Sequence, residues 1–264
     1  MSIFIAVILG IVEGLTEFLP VSSTGHLILV SSLLGLSATA FQSSFEIAIQ
    51  LGAIMAVVVV FAKRIWQHPR VLIPVAAAFV PTAIVGFAFY SVIKTYLLSN
   101  PSIVIWSLAI GGLIMLISEV VHQQTTYKSV QTTEYGMETP TIKQAVIIGL
   151  CQALAVIPGV SRSAATIVGG MALKIPRTTI VEFSFLLAIP TMAAATGYDL
   201  LKTGATFTGA EWGYLVVGAL TAFIVALATV KWLLGYVKNN NFMPFAAYRF
   251  FIAFVFMIVF LTQM

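Results

Sequence analysis

The chain has 264 residues, of which 60% are hydrophobic and 8% charged. A soluble domain carries about 25% charged residues, and this much apolar surface in water would be an aggregation liability, so the composition excludes a soluble enzyme and implies an integral membrane protein. The net charge of +4 gives no argument for nucleic acid, which is not expected as a partner, because in a membrane the placement of charge matters more than its sum.

The amino terminus has no Lys or Arg ahead of its apolar run and carries Glu13 and Glu17 within it. It therefore reads as mature structure rather than a signal peptide. The pattern predicts a helical hairpin over 3–35, broken near 19–25. Full spans follow at 43–62, at 71–93 with bends at Pro74 and Pro81, and at 102–121. A polar loop occupies 122–141, and a second hairpin, interrupted at 158–163, covers 142–172. Three more spans lie at 178–201, 212–230 and 245–261. The expected fold is all-α and membrane-embedded, with six transmembrane helices and two re-entrant broken hairpins. The lone cysteine, Cys151, excludes an intrachain disulfide and implies no cysteine metal site.

Cations orient this scheme. Lys63, Arg64, Arg70, Lys128, Lys143, Lys174, Arg177, Lys231, Lys238 and Arg249 fall on one side, and Lys94 and Lys202 on the other. The richer side is assigned to the cytoplasm, which puts both termini outside. The first hairpin then enters from outside and the second from the cytoplasm.

An ungapped internal match underlies the hairpins. GIVEGLTEFLPVSSTGHL at 10–27 aligns with GLCQALAVIPGVSRSAAT at 149–166, so Ser22 meets Ser161 and Glu13 meets Gln152. One membrane domain, 1–264, is therefore expected, with repeat 1 at about 1–121 and an inverted repeat 2 at about 142–264, joined by the loop at 122–141. Inverted repeats with broken helices place their sites near the bilayer midplane. Irregular backbone at that depth must line a cavity or be buried in protein.

The breaks hold the chemistry. Glu13 and Glu17, four residues apart, share a helix face. Intramembrane carboxylates are costly and mark function; paired, they suit a divalent cation, or they divide acid and base roles. Ser22, Ser23 and Thr24 precede His26, an acid, base or nucleophile candidate. Hydroxyls there either cap the helix that follows or, with its N–H groups, bind phosphate. In the second break Gly159 permits unusual backbone angles, Ser161 and Ser163 supply hydroxyls, and Arg162 suits a bidentate phosphate contact. Arg162 reads as the one basic residue deep in an apolar region. Two carboxylates, an imidazole, hydroxyls and a buried guanidinium suit phosphoryl transfer, and equally an anion transporter; the residues alone leave both open.

EGLTEFLPVSSTGH at 13–26, PGVSRSAAT at 158–166 and FEIAIQLG at 45–52 resemble the bacterial undecaprenyl-diphosphate phosphatase family of the bacitracin-resistance type. The likeness covers essentially the whole chain, with no departure inside the two main motifs. It implies hydrolysis of undecaprenyl diphosphate to the monophosphate and phosphate at the outer face of the bacterial cytoplasmic membrane, recycling the carrier for cell-wall polymers. It implies a divalent cation, Mg²⁺ or Ca²⁺, held by Glu13 and Glu17. It assigns catalysis to Glu17, Ser23, His26 and Arg162. It gives Arg162 the phosphate contact, to which the residues' own chemistry adds Ser22, Thr24, Gly159, Ser161 and Ser163 as phosphate-binding candidates. The expected mechanism is attack by Ser23 with His26 or Glu17 as base; its rival is attack by activated water. The partners are a polyprenyl diphosphate and membrane lipid, and a homodimer stays open. The alternative function is a transporter or flippase for a phosphorylated prenyl lipid.

Overall fold

A computed structural model describes residues 1–36, 39–92, 100–123, 131–132 and 138–263. Lys94, Lys128 and most of the polar loop lie outside these. The described chain is helical throughout its membrane-compatible length: α1 (Ile3–Thr16), α2 (Ser23–Leu33), α3 (Ala40–Gln67), α4 (Leu72–Val92), α5 (Pro101–Gln123), α6 (Ile142–Ala153), α7 (Arg162–Ala172), α8 (Arg177–Thr203), α9 (Gly209–Tyr236) and α10 (Met243–Gln263). A two-residue ladder pairs Gln131 and Thr132 with Thr139 and Glu138.

Six stretches are long and apolar enough to cross a membrane: Ala40–Gln67, Pro69–Phe89, Pro101–His122, Arg177–Thr203, Gly209–Tyr236 and Met243–Leu261. The chain is a multi-pass membrane protein. The other four helices are 11 to 14 residues long, about 16–21 Å at ~1.5 Å per residue, well short of a ~30 Å hydrocarbon core.

Local chemistry sets the helix ends. Ser2 and Thr39 accept N–H bonds at the starts of α1 and α3. Thr141 with Gln144, and Thr208 with Glu211, form capping boxes for α6 and α9. Ile157, ahead of Pro158, is extended at φ −78°, ψ 120°, which is where a proline pushes its predecessor.

Three boundaries differ from expectation. The first break is 17–22, because α2 already begins at Ser23. The second opens earlier, since α6 gives way to a 3₁₀ turn at Leu154–Val156. Pro74 sits in the first turn of α4, where an N–H has no intrahelical acceptor, so only Pro81 lies in the helix interior.

Helix α9 packs against α1 and α3, α6 against α4, α10 against α5, and α3 against α8. The main core joins these helices through Phe61, Phe183, Phe185, Phe242 and the fully buried Phe18. Phe18 meets Phe185 edge to face at 5.2 Å and follows Glu17 directly, so core packing fixes where the first break begins.

Candidate active site

The two breaks meet. Glu17 caps the C-terminus of α1, and Ser22 and Ser161 cap the N-termini of α2 and α7. Ser22 accepts from Gly25 N–H at 3.3 Å and Ser161 from Ala164 N–H at 3.2 Å. Both serines have left-handed backbone, φ 72° and 73°, and Gly159 lies at φ 91°. A non-glycine residue there costs on the order of 1–3 kcal/mol and persists only when its surroundings hold it.

Glu17 is the hub. Its Oε2 accepts from Ser23 Oγ at 2.5 Å and its Oε1 from Arg162 Nη2 at 3.0 Å. The ion pair is buried, with side-chain exposures of 6% and 11%. Arg162 also donates from Nη1 to the Ser184 carbonyl at 2.9 Å and lies over the Phe18 ring at 5.7 Å. Its Nε–H has no acceptor among the described residues. Ser163 Oγ donates to the Leu19 carbonyl at 2.8 Å, a second bond between the breaks. That spends its proton, so Ser161 is the donor in the 3.0 Å Ser161–Ser163 contact.

His26 turns away from Ser23. Its Nδ1 lies 2.7 Å from the Ser22 carbonyl and its Nε2 2.9 Å from the Tyr248 hydroxyl. A carbonyl only accepts, so Nδ1 carries the proton, and a neutral ring accepts from Tyr248 at Nε2. The base in contact with Ser23 is Glu17.

Seven of the expected residues, Glu17, Ser22, Ser23, Thr24, Gly159, Ser161 and Arg162, line a cavity of about 470 Å³. Glu13, His26 and Ser163 are not among its lining residues. Ile47, Phe79, Phe87, Ala194 and Ala195 give it apolar walls, and Gln50, Thr82, Gln152 and Thr191 add polar points.

Glu13 is fully buried, and neither carboxylate oxygen has a hydrogen-bond partner among the described residues. Two neighbouring carboxylates join only through a proton or a cation. An orphaned carboxylate beside a second one therefore fits a hard, oxygen-preferring divalent cation. Glu13 and Glu17 are the carboxylates that would hold it, although among the described residues no three His, Cys, Asp or Glu converge as a metal cluster.

Arg249 corrects the sequence reading. Counted above with the cations that orient the chain, it is fully buried, and it donates only to backbone carbonyls. Arg162 is thus not the sole deep cation. A lone Arg inside the apolar run 245–261 was the available signal. Ser184 and Tyr248 carried none.

A family model described as bacitracin resistance protein BacA matches residues 6–255. The chain belongs to the BacA family. Three similar relatives of this BacA member are named undecaprenyl-diphosphatase. The Aquifex aeolicus protein is 46% identical over 256 residues, 97% of this chain and 98% of its own. That of Wolinella succinogenes is 48% identical over 259 residues, 97% and 98% of the two chains. That of Thermus thermophilus is 43% identical over 259 residues, 97% of each.

Proposed function

We propose that this chain hydrolyses undecaprenyl diphosphate to undecaprenyl phosphate and inorganic phosphate, the activity named for its full-length relatives, and so recycles the lipid carrier and supports bacitracin resistance. The observation that carries the reading is the Ser23–Glu17–Arg162 chain of contacts at the polar end of an otherwise apolar cavity.

Arg162 turns its free Nε–H and its Nη groups to the terminal phosphoryl oxygens, exchanging part of its Glu17 contact for substrate. Ser23 Oγ attacks the terminal phosphorus while Glu17 takes its proton. The Oγ–P bond forms, the bridging P–O bond breaks, and undecaprenyl phosphate leaves with the proton, which passes from Glu17 to the departing phosphate oxygen. Glu17 then takes a proton from water, which attacks the phosphoserine; Ser23 regains its proton and phosphate departs. N–H groups at the starts of α2 and α7, with Thr24, Ser22, Ser161 and Gly159 around them, orient the diphosphate, while Ser163 ties the second break to the Leu19 carbonyl of the first. His26 holds the Ser22 carbonyl and thereby the turn that aims Ser23. A divalent cation, Mg²⁺ or Ca²⁺, held by Glu13 and Glu17 would neutralise phosphoryl charge when bound.

The two short helix pairs act as re-entrant hairpins of an inverted repeat, repeat 1 over about 1–121 and repeat 2 over about 142–264. Supporting this are the equivalent left-handed cap serines, and the packing of α1 on α9 matched by α6 on α4. The membrane is the bacterial cytoplasmic one, with the site opening outward. The cavity is walled by the C-terminal halves of α4 and α8, away from Arg70 and Arg177 at their cytoplasmic starts. The apolar walls take the first isoprene units of the tail.

The test is phosphate release from a long-chain prenyl diphosphate by purified protein in detergent, with and without Mg²⁺. Ser23→Ala should lower turnover by about 10³-fold or more and leave no acid-stable phosphoserine in a quench. Near-parent turnover in that variant would remove Ser23 as nucleophile. No release by folded parent protein under any cation would sink the phosphatase.

A further inference from the structure

Arg249 spends every donor it has. A guanidinium carries five N–H groups. Here Nε donates to the Leu108 carbonyl at 3.2 Å, Nη1 to Pro20 at 3.3 Å and Val160 at 3.2 Å, and Nη2 to Ser107 at 3.0 Å and Gly159 at 2.9 Å. The side chain is fully buried and forms no ion pair among the described residues. Room for it is built in: a Cβ on Gly111 would collide with the guanidinium, and one on Gly112 would sit 3.3 Å from Arg249 Cβ. Burying a cation against neutral carbonyls is costly, and plain stability would be served as well by an apolar side chain.

The choice of carbonyls is informative. Pro20 lies two residues before the left-handed Ser22, and Gly159 two residues before the left-handed Ser161. These are equivalent positions of the two breaks. One planar group therefore grips the same point of both breaks and ties each to α5. The residues that must meet come from opposite breaks: Glu17 and Ser23 from the first, Arg162 from the second.

We propose that Arg249 is a positioning residue that sets the spacing and register of the two breaks, and through them the alignment of Ser23 and Glu17 with Arg162. It touches no substrate. Its removal misplaces reacting groups, and a misplacement of about 1 Å costs on the order of 10²-fold in rate. The inference rests on the phosphatase reading only for its kinetic test.

Two measurements decide it. Arg249→Lys offers three donors for five carbonyls, so kcat for prenyl-diphosphate hydrolysis should fall about 10²-fold with KM within about threefold. Independently, spin labels at Leu15→Cys and Leu154→Cys, both lipid-exposed positions beside the breaks, report the break-to-break distance in a Cys151→Ala background. The parent should give one narrow distance population, and Arg249→Met a broadened or shifted one in protein that still elutes as a single folded species. If Arg249→Met does not fold, Arg249→Lys carries the distance measurement. Parent-like kcat in Arg249→Lys, or an unchanged distance distribution in the folded variant, overturns the proposal. Absent release by the parent sinks the phosphatase reading, while the label distances still decide the clamp.

Discussion

Two flanks of the molecule use the same kind of helix differently. Where α3 meets α9, glycine brings backbones together. A Cβ on Gly52 would fall inside the carbonyl of Ala219, and one on Gly218 would lie 2.7 Å from Phe45. On α1, a Cβ on Gly10 would lie 2.6 Å from the Gly218 carbonyl and one on Gly14 2.7 Å from that of Ala222. Where α4 faces α8, the two helices touch but also wall the cavity. Gln152 of α6 bridges them, donating to Thr82 at 2.9 Å and Thr191 at 3.0 Å, and a Cβ on Gly86 would meet nothing within 4 Å. The closed flank fixes α1, and so the start of the break at Glu17. The open flank leaves the space in which a substrate can lie. Rigidity and access are thus assigned to separate seams rather than traded within one.

Substitutions should sort by flank. Gly52→Val should be the most damaging, because neither backbone can yield; overpacking costs about 3 kcal/mol or more, and expression and the thermal midpoint in detergent should both collapse. Gly86→Leu adds one carbon more yet should leave that midpoint within error. It should instead raise KM about tenfold, equivalent to about 1.4 kcal/mol of binding, because the side chain enters the cavity. If Gly86→Leu proved as unstable as Gly52→Val, the two flanks would not differ as described. Thr82→Val is the mildest: it removes one of two acceptors for Gln152 and should cost about 1 kcal/mol by chemical denaturation, with turnover little changed.

Much of this was legible in the sequence. Paired prolines and serines between apolar arms marked both breaks, and the six long helices followed from apolar runs of sufficient length. The Glu17–Arg162 contact was foreseeable because two opposite charges in one apolar environment have few other partners. The rest depended on contacts that no local pattern encodes. Ser23 and His26 are three apart on one helix, and His26 and Glu17 were both expected as its base; the chain reverses at the break and brings Glu17, not His26, to Ser23. Tyr248, 222 residues away in sequence, takes the other side of His26. Arg249 was counted with the cations at span ends because that count treats each as solvated, and carbonyl acceptors leave no trace in residue identity.

The left-handed conformation at Ser22 and Ser161 makes the site a reservoir of tension. Glycine would adopt those angles freely, and a serine cap replaced by glycine loses only a few tenths of a kcal/mol. Ser22→Gly should therefore raise the thermal midpoint while slowing turnover, since a relaxed turn no longer dictates where Ser23 points. Directed evolution for thermostability alone would drift toward such variants and lose the enzyme it set out to keep.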